Sequence, residues 1–145
     1  MPTPEDQLFL HLAVKYRWLD ESVARGITRR LEEIEALFPG KVETLMSNRA
    51  NVEEAALASD LLVGGVLVAG ARAPVLVSEE TVRRMRPGSV IVDMSTIDPA
   101  TTTEMAALAL AKGVGYVDAP VLGRPATVGQ WALPAGGRKE DVDHC

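Results

Sequence analysis

Two carboxylates and two hydroxyls crowd into Asp93-Met94-Ser95-Thr96-Ile97-Asp98-Pro99, directly after the apolar run Val90-Ile91-Val92. A carboxylate beside hydroxyls can hydrogen-bond the diol of a ribose or a carboxamide. The same residue types also satisfy the backbone of their own loop. Both readings stay open for Asp93, Ser95 and Thr96. Asp98 before Pro99 has the N-cap and first-turn pattern of a helix start, and its expected role is the cap. Arg72 could meet a phosphate or remain a solvated charge. Arg124 could pair with a carboxylate, Asp118 included. Lys112 suits the negative end of a helix and is not read as a base. His11, His144 and Cys145 lack companions of the right type. No Ser-His-Asp or Cys-His nucleophile and no metal site are therefore expected.

The elements that must position these groups follow from patterning. Pro87-Gly88 makes a turn, and Val90–Val92 reads as a buried strand. In open α/β sheets, ligands bind beyond the carboxyl ends of the strands, close to helix N-termini. Residues 93–98 occupy that place. Upstream, Thr3-Pro4 starts one helix and Asp20 a second. Val23, Ile27, Leu31, Ile34 and Leu37 form the second helix's apolar stripe, and Pro39-Gly40 ends it. This predicts an N-terminal helical hairpin over 1–38. His11, Trp18 and Arg29-Arg30 read as a binding face or as packing plus solvated charge. From 39 to 145 short apolar runs alternate with helices. Strands are expected at Val42–Met46, Leu61–Val68, Val90–Val92 and Val114–Val117, with an edge strand at Trp131–Leu133. Helices are expected after Asn51, after Ser78 and over Pro99–Ala111, where Met105, Leu108 and Ala109 face the sheet. A last one begins near Arg138. Gly64-Gly65 falls inside a strand and suggests close backbone packing. Such alternation predicts an α/β fold with a mostly parallel sheet of four or five strands between helical layers.

Composition sets the class. The chain has 145 residues, 47% hydrophobic and 24% charged, enough for one domain with a real core. Only 4% are aromatic, so aliphatic side chains must build that core. A net charge of -5 argues against nucleic acid or an anionic membrane as partner. The chain shows no signal peptide and no membrane-spanning run, and a cytoplasmic protein is expected.

Residues 31–93 resemble bacterial alanine dehydrogenase. The matching stretches are Phe38-Pro39-Gly40-Lys41-Val42, Thr44-Leu45-Met46-Ser47-Asn48, Asn51-Val52-Glu53-Glu54-Ala55, Gly70-Ala71-Arg72-Ala73-Pro74 and Met85 to Asp93. The resemblance implies the second part of an NAD-binding Rossmann domain, with the Val66–Pro74 loop near the nicotinamide ribose. It adds Gly70 and Arg72 to Asp93, Ser95 and Thr96 as cofactor-binding candidates. Residues 89–142 resemble the 3-hydroxyisobutyrate dehydrogenase family, relatives of 6-phosphogluconate dehydrogenase. The carriers are Val92-Asp93-Met94-Ser95-Thr96-Ile97-Asp98-Pro99, Ala111-Lys112-Gly113, Tyr116 to Val121 and Ala135-Gly136-Gly137. Here Gly123 and Arg124 fall in what would be a substrate loop, with Leu122 in place of its usual hydroxyl. Residues 1–30 match neither pattern.

The two resemblances share the strand Val90–Asp93 and point to a chimera joined there, with a three-layer Rossmann-like architecture. No G-x-G-x-x-G occurs, so the loop that aims backbone N–H groups at a pyrophosphate is lacking. The catalytic groups of both families are missing as well. The sequence therefore predicts an artificial or recombined dehydrogenase-derived scaffold without efficient catalysis and with no required cofactor. A second reading keeps weak NAD or NADP binding. A third is an interaction module. Unpaired sheet edges add a predicted homodimer, open to domain swapping.

Overall fold

The computed structural model describes residues 21–66, 74–122 and 132–143. The chain divides into two compact units, Met1–Asn51 and Val52–Cys145.

In the first unit, α1 (Glu21–Leu37) is amphipathic and buries Ala24 with Met46 and Ile27. The first helix of the expected hairpin lies outside the described residues. Residues 42–46 are not a strand. Their polar groups are taken up locally instead. The Thr44 backbone N–H and hydroxyl both donate to Glu35 Oε1, at 3.3 and 2.6 Å. The Met46 carbonyl accepts from Asn48 N at 2.8 Å and Asn51 Nδ2 at 3.0 Å. An extended run becomes a strand only beside a ladder partner, and among the described residues this one has none. The next helix, α2 (Arg49–Ala58), starts earlier than expected. Asn48, not Asn51, caps it: Asn48 Oδ1 accepts from Asn51 N at 2.9 Å.

The second unit holds the sheet. Strands β1 (Leu61–Gly64), β2 (Val90–Asp93), β3 (Gly115–Asp118) and β4 (Gly136–Gly137) lie in that order. The first three are parallel, and β4 runs antiparallel to β3. β1 ends at Gly64, where the Gly64 carbonyl accepts from Met94 N at 2.7 Å; of the strand expected over Leu61–Val68, residues 65 and 66 are not in the ladder and 67 and 68 lie outside the described residues. A Cβ built on Gly64 or Gly65 meets nothing nearer than 3.9 Å, so this pair does not mark close packing. The edge strand also differs from expectation. Ala132 forms only an isolated bridge with Leu122, and the edge is Gly136–Gly137. Two glycines carry no apolar pattern, yet they let the backbones meet: a Cβ on Gly137 would sit 2.8 Å from the Tyr116 carbonyl oxygen.

Register sorts the side chains. Leu62, Ile91 and Tyr116 are cross-strand neighbours on one face. That face packs on Leu57, on Val82 and Met85 at α3 (Glu79–Arg84), and on Ala106 and Ala109 of α4 (Pro99–Leu110). Met105 was expected there but is 38% exposed, displaced by the smaller Ala106 and Ala109. The opposite face carries Val90, Val92 and Val117, covered by Val142 of α5 (Lys139–Val142). Helices thus flank both faces at β2 and β3. Gly113, at φ +70, turns the chain out of α4 in a left-handed conformation that a Cβ would disfavour.

The caps follow the sequence closely. Ser78 Oγ accepts from Thr81 N at 3.1 Å and starts α3. Asp98 Oδ1 accepts from Ala100 N and Thr101 N at 3.1 and 3.0 Å, and Oδ2 accepts from Thr101 Oγ1 at 2.6 Å. The Thr101 hydroxyl, with the cap N–H groups, lowers the Asp98 pKa below its ordinary 3.8. A lowered folded pKa gives stability that is full above the unfolded value and lost as pH falls through the folded one. Circular dichroism should therefore show α4 weakening below about pH 4 in the wild type. Asp98→Asn keeps an uncharged cap and should flatten that acid limb. An unchanged limb would contradict this role.

Candidate functional site

The site candidates gather where β2 and β3 end. Asp93 and Asp118 are cross-strand neighbours and the last residues of their strands. Asp93 is half-buried and held at both oxygens. Its Oδ1 accepts from Ser95 N at 2.9 Å, which bends the chain into the loop. Its Oδ2 accepts from the Tyr116 hydroxyl at 3.0 Å. Among the described residues nothing else engages this carboxylate, which leaves two of its lone-pair directions for a further donor.

Ser95 is half-buried and Thr96 exposed. No described residue engages either hydroxyl. Asp98 then closes the loop by capping α4. The described structure therefore brings Asp93, Ser95 and Thr96 together at the carboxyl end of a central strand. Gly70, Arg72, Gly123 and Arg124 lie outside the described residues.

Tyr116 is the residue that sequence reasoning missed. It sits in an apolar run and looks like core, and its body is core, at 8% exposure. Its link to Asp93 runs diagonally across the β2–β3 pair and needs the register to be seen. Burial, then the Asp93 carboxylate, then Asp118, push the phenol well above its ordinary pKa of 10.

The geometry fits one part of a dinucleotide better than another. A diol or carboxamide can meet the Asp93 carboxylate and the Ser95 and Thr96 hydroxyls. A pyrophosphate needs backbone N–H groups at a helix N-terminus. At α4 those groups already serve Asp98, and a second anion there would face its charge. At α3 Ser78 holds Thr81 N, with Glu79 and Glu80 in the first turn.

Comparison with known proteins agrees with the alanine dehydrogenase resemblance. Residues 22–115 match the family described as alanine dehydrogenase/PNT, C-terminal domain. This match reaches beyond 31–93 on both sides, back to the first turn of α1 and across Asp93 to the start of β3. It also takes in residues 22–30, which the sequence resemblances left unassigned. Alanine dehydrogenase of Methanococcus maripaludis is 44% identical over 114 residues, covering 73% of this chain and 31% of that protein. The enzyme of Staphylococcus saprophyticus is 52% identical over 67 residues, 46% of this chain and 18% of that one. The chain thus spans under a third of the length of these relatives. A crystal structure from Mycobacterium avium 104, described as an oxidoreductase, aligns at 32% identity and a TM-score of 0.53. That alignment covers 77% of this chain and 39% of the other. A Mycobacterium tuberculosis 3-hydroxyisobutyrate dehydrogenase aligns at 26% identity over 63% of this chain and 32% of its own, with a TM-score of 0.47.

Proposed function

Because the chain belongs to the alanine dehydrogenase/PNT C-terminal domain family, we propose that it is a recombined dehydrogenase domain that receives the nicotinamide end of NAD weakly and does not turn over substrate efficiently by itself. The observation that carries this reading is the loop after β2. There Asp93, fixed by Ser95 N and the Tyr116 hydroxyl, stands beside two hydroxyls that no described residue engages.

Weak affinity follows from what grips a dinucleotide. The pyrophosphate loop normally contributes several charge-assisted hydrogen bonds, each worth about 1.5–3 kcal/mol. Losing them costs orders of magnitude in affinity. These residues contain no G-x-G-x-x-G, and the N–H groups at the start of α4 are already capped. Calorimetric titration should give NAD dissociation constants on the order of 1 mM, with NADP no tighter. Incubation with NAD and L-alanine should produce no NADH above the protein-free rate. Steady turnover, or binding tighter than ~100 μM, would refute the reading.

One observation favours a second role in self-association. Among the described residues nothing pairs with the outer side of β1, and Leu61 and Val63 are 46% and 54% exposed. The strand has no proline, charge or bulge to block pairing. We expect a homodimer by sedimentation at high micromolar concentration, lost in Val63→Lys. A monomer throughout would exclude this role.

A further inference from the structure

We propose that Tyr116 is the positioning residue of the nucleotide loop: through Asp93, its hydroxyl holds Ser95 and Thr96 in the place where the ligand is received. This inference rests on the nucleotide reading above and extends it to a residue outside the loop.

The argument starts in the core. The Tyr116 ring belongs to the cluster of Val82, Met85, Ala109 and Val114. Val114 is fully buried and Ala109 nearly so, at 0% and 1% exposure. The ring is thus fixed by packing from α3 and α4, and its hydroxyl emerges at a set point beside the strand ends. That hydroxyl donates to Asp93 Oδ2 at 3.0 Å, while Oδ1 accepts from Ser95 N at 2.9 Å. An aspartate side chain has two rotatable bonds. With both oxygens bound, the carboxylate is locked, and the loop backbone is tied to the core through it. Burial and the two neighbouring carboxylates keep the phenol protonated well above its ordinary value, so the donor persists across the neutral range. Without the Tyr116 hydroxyl, Oδ2 loses its fixed partner and Asp93 can rotate away from Ser95.

Tyr116→Phe isolates this effect, because the ring stays and only the O–H goes. Amide hydrogen exchange and NAD titration, both followed by NMR on the full chain, give two separate readouts. In the free protein, exchange at Ser95 should accelerate about tenfold in Tyr116→Phe, as expected for losing a hydrogen bond to a charged group. Exchange at Ala109 and Val114, which line the ring, should not change. NAD affinity should weaken by about five- to tenfold. Unchanged exchange at Ser95 would overturn the positioning role, and so would equal acceleration at Ala109 and Val114. Absence of NAD-induced shifts in the wild type would refute the nucleotide reading, whereas the exchange result would still decide the tie between Tyr116 and the loop.

A second variant guards against a folding failure in the first. The chain has one other tyrosine, Tyr16; with it replaced (Tyr16→Phe), Asp93→Asn should bring the ionisation of the Tyr116 phenol, read by ultraviolet difference absorbance, down toward its ordinary range. A phenol that ionises at the same pH with or without the Asp93 charge would overturn the tie.

Discussion

Gly115→Ala should destabilise the second unit by roughly 1–3 kcal/mol, the cost of forcing extra volume into a packed site. A Cβ there would lie 2.5 Å from Asp141 Oδ1, 2.8 Å from Asp141 Cγ and 3.1 Å from Val90 Cγ2. Asp141 cannot easily yield. It is 6% exposed, and Arg138 grips it with Nε and Nη2, both at 2.8 Å. The carboxylate is thus pressed over the start of β3 by the same ion pair that begins α5. To admit the methyl group, α5 must lift, which uncovers Val142 and the face of Val90 and Val117. Urea denaturation measures the loss. In an Asp141→Gly background, Gly115→Ala should cost much less than it does in the wild type, because two contacting sites do not add. A Gly115→Ala variant within 0.5 kcal/mol of wild type would contradict the docking of α5 described here.

Asp93→Ala comes next in expected size. It removes the acceptor of two hydrogen bonds at once. The Tyr116 hydroxyl loses its partner at the end of the core, and Ser95 N loses the group that shapes the loop. Hydrogen bonds to a charged group are worth about 1.5–3 kcal/mol, and a polar group left unsatisfied in a buried place costs about 1–3 kcal/mol. A net loss of about 2–3 kcal/mol is expected, with any NAD-induced shifts at Ser95 and Thr96 gone. If Asp93→Ala keeps wild-type stability and wild-type NAD shifts, Asp93 is neither a structural nor a binding residue.

What the sequence made legible was local chemistry. Ser78 and Asp98 cap their helices as expected, because a cap needs only a side-chain oxygen and the next few N–H groups. The central strand is equally plain, since a run packed on both faces must be apolar throughout, although only Val90 of it is buried and Ile91 and Val92 are half-buried. The features that failed to show depend on distant partners. Residues 42–46 have a strand's composition, but Glu35 and Asn51 take up their polar groups. The edge strand went to Gly136–Gly137 because that pair fits against Val117 and Asp118, a fact about register and not about hydropathy. The site divided the same way. Asp93, Ser95 and Thr96 announced themselves by residue type, while the Tyr116 contribution waited for the pairing of Ile91 with Tyr116 to be known. A helix start near Arg138 is legible in the sequence, but the packing of Asp141 over Gly115 is not.

The central claim is that the loop after β2 receives a nicotinamide nucleotide at low affinity. Backbone amide shifts during an NAD titration of the full chain test it most directly. The account predicts saturable shifts at Ser95 and Thr96, with half-saturation on the order of 1 mM. A titration to about 10 mM that leaves both amides unmoved, or that moves amides only elsewhere in the chain, would contradict it.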